Sequence, residues 1–144
     1  MNPADRTSIE HFVRGTLGCK CPDEVFQSIT ILRAPTPTAA MPHTRLVIGG
    51  RLLIDVVETQ RVAATTHAVS NVAKQGLAER DAKQYNRYRL VVASDYPTEL
   101  LRAARTGFED VAGTDHRAHL HILATDQLPD ALRVDLDANK PGAS

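Results

Sequence analysis

The stretch Arg45-Leu46-Val47-Ile48-Gly49-Gly50-Arg51-Leu52-Leu53-Ile54-Asp55-Val56-Val57 decides how the fold is read. Its two apolar runs flank Gly49-Gly50, a pair able to supply the positive φ angles of a type I′ turn, so the stretch reads as a β-hairpin. A single strand kinked at the glycines is the rival reading. Beyond it the pattern changes. Residues 66 to 84 place Val69, Val72, Ala73 and Leu77 on one helical face and Glu79, Arg80, Asp81 and Lys83 on the wet side. Leu90-Val91-Val92-Ala93, inside a strand over residues 88 to 93, is apolar on both faces, as an interior parallel strand requires. Pro97 opens a second helix, made amphipathic by Leu100, Leu101, Ala104, Phe108 and Val111 and ended by Gly113. Residues 118 to 123 then alternate, with Ala118, Leu120 and Ile122 opposite His119, His121 and Leu123. Two consecutive strand-helix-strand units over residues 52 to 123 imply right-handed crossovers and a partly parallel sheet.

Upstream, Ile9, Phe12, Val13 and Leu17 recur at helical spacing over residues 5 to 17, and Gly18 stands where a C′ glycine would release the helix. Pro22 suits the first position of a new helical turn with Cys21 as its N-cap and Asp23 and Glu24 in the turn. Residues 27 to 33 read as a strand. Residues 34 to 44 hold three prolines and three threonines and read as an extended connection. Residues 131 to 137 alternate again and suit a last edge strand, and residues 138 to 144 are expected to fray. The expected class is α/β with a mixed sheet: an N-terminal helix, an antiparallel hairpin, then the two strand-helix-strand units, about five to six strands in all with helices packed on the sheet. Residues 1 to 144 are expected to form one domain.

Composition sets the outer limits. With 42% hydrophobic and 24% charged residues in 144, the chain falls among ordinary globular proteins and outside the disordered, collagenous and membrane classes. Two cysteines are too few for a disulfide scaffold. The start Met1-Asn2-Pro3-Ala4-Asp5-Arg6 has neither a basic nor an apolar targeting region, so a cytoplasmic location is expected. Seventeen basic residues balance seventeen acids, which argues against the broad positive field that non-specific nucleic-acid or membrane binding needs. Glu79-Arg80-Asp81 and Asn86-Arg87-Tyr88-Arg89 could offer a phosphate or RNA contact, but thirteen of the basic residues are arginines scattered among acids, which favours a solvated, ion-paired face. Asp55, within an apolar strand, needs an Arg, a helix N-terminus or a raised pKa if it faces a core.

Gly18-Cys19-Lys20-Cys21-Pro22 holds the chain's only two cysteines, one residue apart. Lys20 and a helix start favour thiolate there, while Asp23 and Glu24 oppose it. The spacing is not the C-x-x-C of thioredoxin-like sites, and the pair precedes the first strand. Three readings stay open: two packed thiols, a strained and reducible i, i+2 disulfide, or metal ligands. His119 and His121 share one face of a strand, and with Cys19 and Cys21 they would offer zinc or iron a four-ligand set if the fold joined the two segments. Alternation alone also explains those histidines. Histidine-triad hydrolases carry H-x-H-x-H, a spacing that Arg117-Ala118 breaks here after His116. Topology nominates a ligand crevice at the carboxyl ends of the parallel strands, around Thr66, His67, Ser94, Asp95 and Asp126. The same residues serve equally as helix caps, and neither a G-x-G-x-x-G nor a P-loop motif accompanies them.

The segment Leu17-Gly18-Cys19-Lys20-Cys21-Pro22-Asp23-Glu24-Val25-Phe26, with Asn86-Arg87-Tyr88-Arg89-Leu90 and His119-Leu120-His121, resembles a family of small bacterial proteins with no assigned function. The resemblance implies no catalytic residues. The first expectation is therefore a small protein with a Cys-x-Cys metal-binding or redox-responsive site. The alternatives are a non-catalytic interaction or homodimer module, and a small-molecule enzyme using the crevice.

Overall fold

The computed structural model describes residues 2–33 and 43–133. It is an α/β fold: α1 (Pro3–His11), β1 (Ile29–Arg33), β2 (His43–Ile48), β3 (Leu52–Glu58), α2 (Val62–Lys83), β4 (Arg87–Ser94), α3 (Pro97–Ala112) and β5 (Ala118–Ala124), in that order. The strands lie in the sequence β1-β2-β3-β4-β5 across one sheet. The β1/β2 and β2/β3 pairs are antiparallel and the β3/β4 and β4/β5 pairs parallel, so the mixed sheet read from the sequence is the one observed. The expected strand over residues 131 to 137 and the frayed tail lie largely outside the described residues, as does most of the connection over residues 34 to 44. Ala131 and Leu132, which are described, belong to a short 3-10 turn, Asp130–Leu132, and not to a strand.

Period-two alternation divides the sheet into two faces. Leu53, Val57, Leu90 and Val92 point to α2 and α3, where they pack with Val69, Val72, Ala73, Leu100, Ala104 and Phe108. Leu46, Ile54, Val56 and Val91 point the other way, against Ile9, Phe12, Val13 and Leu17. Burial of these side chains on both faces explains why β3 and β4 read as continuous apolar runs. After α1 the backbone widens into a π-helical turn, Phe12–Thr16, before Gly18 takes a φ of +74°. The next turn, Asp23–Gln27, is 3-10 with Pro22 as its N-cap, so Cys21 does not cap it. Helix α2 starts at Val62, earlier than its apolar face suggested, and β2 starts at His43, inside the expected connection.

The hairpin forms, but with a longer loop than its glycine pair suggests. Gly49 and Gly50 have φ of +61° and +64°, and Arg51 N donates to Ile48 O at 3.1 Å, closing the expected turn. Ile48 nevertheless pairs with Leu52, so Arg51 is also in the loop and β3 begins one residue late. That residue decides the register. A two-residue loop would set Arg45 opposite Ile54, whereas the observed one sets Arg45 opposite Asp55. Arg45 Nε then donates to Asp55 Oδ1 at 2.7 Å and its Nη2 to Oδ2 at 3.0 Å. Tyr88 OH, from β4, donates to Oδ2 at 2.8 Å. Asp55 is 0% exposed and Arg45 5%. Burial opposes the Arg45 charge, but the bonds to Asp55 more than offset it and the guanidinium pKa is raised. Burial, then the neighbouring carboxylate, pushes the Tyr88 phenol well above its ordinary value, which keeps it a donor. Gly76 of α2 lies against the Tyr88 ring, in space a Cβ would have to share with it.

Asp55→Ala should leave a buried Arg45 uncompensated and cost about 3–5 kcal/mol in urea unfolding. The triple variant R45M/D55L/Y88F, which replaces the whole network by apolar groups, should cost markedly less than the single one. Equal losses would show that the side chains act by volume and not by charge.

Candidate functional site

Two expected segments meet at the amino ends of the parallel strands. The loop from Gly18 to Pro22 forms one wall of an open pocket of about 490 Å³, and Leu52, Asn86, Arg87 and His119 form the facing side. The loop is held at both ends. Cys19 N donates to Val13 O at 3.0 Å, and Arg14 Nη2 donates to Cys21 O at 3.2 Å while pairing with Asp23. Cys19 and Cys21 are both half-buried and are joined as a disulfide, their Cα atoms 5.3 Å apart, within the usual span for such a bond. Of the three readings of the pair, the structure takes the i, i+2 disulfide.

The facing wall is cationic because of strand alternation. Arg87 and Arg89 project to the face opposite Tyr88 and Leu90, and β5, in parallel register, brings His119 opposite Arg89. Arg89 Nη1 donates to Leu17 O at 3.0 Å and meets His121 Nε2 at 2.8 Å. Arg87 Nη1 reaches His119 Nε2 at 3.5 Å. An arginine always donates, so the His121 Nε2 it meets is the bare, accepting nitrogen. Burial, then the Arg89 charge, then His119, lowers the His121 pKa to about 4. Burial, then Arg89 and Arg87, lowers His119 as well. The Arg89 pKa is itself lowered, by burial and then by Arg87. Its Nε atom is buried without a hydrogen-bond partner among the described residues.

The fold therefore brings Cys19, Cys21 and His119 to one pocket, as the four-ligand idea required, but does not make a metal centre. Among the described residues no group of three or more His, Cys, Asp or Glu is placed to hold an ion. The physical reason is local: the sulfurs are bonded to each other, and His121 gives its nitrogen to Arg89. Two guanidinium groups beside the histidines would also repel a cation. With the two sulfurs bonded to each other, the described residues offer zinc or iron no four-ligand set.

The crevice residues lie at the opposite end of the parallel strands. Ser94 Oγ donates to Gln60 Oε1 at 2.9 Å and accepts from Tyr96 N at 3.0 Å, while Asp95 N donates to the same Gln60 oxygen at 2.8 Å. Ser94 thus serves the turn into α3 and is not engaged by a histidine. Thr66 Oγ1 donates to Ala103 O at 3.0 Å and ties α2 to α3. His67 and Asp95 are exposed, as is Asp126 in the short 3-10 turn Thr125–Gln127. The expected ion-paired face also divides. Arg80 binds Asp115 at 2.7 Å and Asp81 at 3.0 Å, but Arg51, Arg87 and Arg89 make no ion pair among the described residues. Sequence reading missed Arg51 as a site residue, for which a basic residue directly after the hairpin glycines was the available signal, and it set Arg87 and Arg89 aside as a solvated face although they alternate with an apolar strand face.

Unfolded, His121 takes up a proton near pH 6.5; folded, it does so only near pH 4. Between those values the unfolded chain binds more protons, so stability should fall on acidification. His121→Gln should remove about 1–2 kcal/mol of that fall, allowing for the ring's partial exposure, when urea unfolding is compared at pH 7 and pH 4.5. An unchanged slope would show that the ring titrates alike in both states.

Comparison with protein-family models, with curated proteins and with solved structures finds no match to this chain.

Proposed function

We propose that Cys19 and Cys21 are a reversible dithiol-disulfide switch. The observation that carries this reading is a disulfide closing a three-residue loop on the wall of an open pocket. A loop so short removes little chain entropy from the unfolded state, about 1.6 kcal/mol on the chain-entropy relation, against about 3 kcal/mol for a loop of fifteen residues. The bond is therefore a poor staple. The fold has its own two cores, and the loop is anchored by Val13 and Arg14 whatever the state of the sulfurs.

Reduction proceeds by exchange with a low-molecular-weight thiol. An incoming thiolate attacks one sulfur, the Cys19–Cys21 bond breaks, and the departing cysteine leaves as thiolate and takes a proton. A second thiol attacks the mixed disulfide at the external sulfur, so two thiols are oxidised to one external disulfide and both cysteines end as thiols. Lys20, Arg51 and Arg87 lie around the pair and stabilise the negative charge of attacking and leaving sulfur alike. Of the two acids that the sequence sets against this, Asp23 is paired with Arg14, while Glu24 makes no ion pair among the described residues. In the cytoplasmic setting expected from the sequence, the dithiol is the resting form and the disulfide the oxidised signal. No helix among the described residues is long and apolar enough to cross a membrane.

Thiol counting after equilibration in mixtures of reduced and oxidised glutathione should show the pair titrating reversibly as one two-electron couple, with a midpoint above about −300 mV. The reduced protein should melt no more than about 6 °C lower. A pair that stays oxidised across the whole series, or a collapse of the fold on reduction, would make the bond structural and end this reading.

A further inference from the structure

We propose that the pocket beside the disulfide is an anion site that receives the carboxylates of the thiol exchanging with it, so that the co-reactant is an acidic low-molecular-weight thiol. This deepens the switch reading and rests on it for the identity of the ligand, but not for the existence of the site. The pocket gathers Lys20, Arg51, Arg87, Arg89 and His119, and among the described residues no Asp or Glu lines it. Among the described residues none of its lysine and arginine side chains makes an ion pair with a carboxylate of the protein. In a chain with as many acids as bases, a concave wall of this single sign is a departure from the average surface. Arg89, which also lines the pocket, adds a further cation, and its buried Nε has no hydrogen-bond partner among the described residues.

Geometry restricts the ligand. A volume of about 490 Å³ lies within the range of small-molecule sites and admits a peptide-sized thiol. Arg51 and Arg87 are exposed at the mouth, and the Arg51 carbonyl holds both Asn86 N, at 2.7 Å, and Arg87 N, at 3.2 Å, so the two cations are fixed to one another through the backbone. A carboxylate bound between them would place the rest of the molecule toward Cys19 and Cys21, which share the same pocket. Simple phosphate would meet the same cations, and the experiment must separate the two sources.

Two measurements on the full chain test this. The first is the rate constant for reducing the oxidised protein with glutathione, divided by that with neutral 2-mercaptoethanol. This ratio should fall about tenfold in R51Q/R87Q and fall likewise in wild type as salt is raised; a ratio unchanged by both would overturn the proposal. The second is titration of the oxidised protein with S-methylglutathione, which has the carboxylates but cannot exchange. It should bind wild type, bind R51Q/R87Q at least about tenfold more weakly, and be displaced only poorly by an equal concentration of inorganic phosphate. No binding to wild type would remove the site. Phosphate binding tighter than S-methylglutathione would show a phosphate site and overturn the assignment to a thiol. Binding of S-methylglutathione without any exchange by glutathione would retain the anion site and sink the switch instead, so the two failures are distinct. Both substituted arginines are solvent-exposed, and a folded variant is checked by its melting curve.

Discussion

A carboxylate with no exposed surface, Asp55, is the constraint around which the sheet is organised. It cannot remain charged in an apolar layer without donors, and each donor comes from a different part of the chain. Arg45 must lie directly opposite on β2, which requires Arg51 to stay in the loop and so fixes the hairpin register. Tyr88 must enter from β4, which fixes how the parallel unit joins the hairpin. Helix α2 must leave room for the Tyr88 ring, which Gly76 does, and Glu79 on the same helix stands 3.9 Å from Arg45 Nη1. A one-residue slip of β2 would turn Arg45 away and leave both charges unmatched, so this network penalises wrong registers more than it rewards the right one.

The same register produces the cationic pocket on the opposite face. Because side chains alternate along β4, sending Tyr88 and Leu90 toward α2 and α3 necessarily sends Arg87 and Arg89 to the N-terminal side. There the first layer of cover is the segment from Ile9 to Leu17, and Arg89 caps the Leu17 carbonyl. The chain turns at Gly18 immediately afterwards, and the Cys-Lys-Cys loop lines the pocket beside the strand starts. The loop residue Arg51, kept out of β3 by the register, projects at the same place. Core and pocket are thus two consequences of one strand pairing.

Local pattern was enough for most of the fold. Leu90-Val91-Val92-Ala93 showed an interior strand because both faces of that strand are covered, and Pro97 and Gly113 bracket α3 as their backbone preferences demand. Local pattern failed where a bond to a distant residue decided the outcome. Gly49-Gly50 names a turn but does not say whether Arg51 belongs to it; that depends on Asp55 finding Arg45. His43 read as part of a proline-rich connection because nothing local shows that the strand extends back to it. The clustering of Cys19 with Cys21 is visible in the sequence, though not whether they bond, whereas the pocket is not visible, since Lys20, Arg51, Arg87 and His119 are far apart in sequence and each looks like an ordinary surface charge. Net charge hides such a cluster completely, because distant acids cancel it in the sum and not in space.

If the disulfide is a switch and the pocket an anion site, the two must influence each other through charge. The oxidised pair carries none, so Lys20, Arg51 and Arg87 face an anion without competition from the sulfurs. Reduction introduces thiols whose ionised form would itself be stabilised by the same cations. Thiolate and bound anion then compete for one electrostatic field, and an anion that binds the oxidised form more tightly must, by linkage, stabilise that form against reduction to the same degree. The pocket would read redox state without any movement of the backbone, since Val13 and Arg14 hold the loop from positions outside it. A change of charge at a fixed site is the least demanding switch this fold can make, because neither core has to repack and the Asp55 network, on the far face of the sheet, is left untouched.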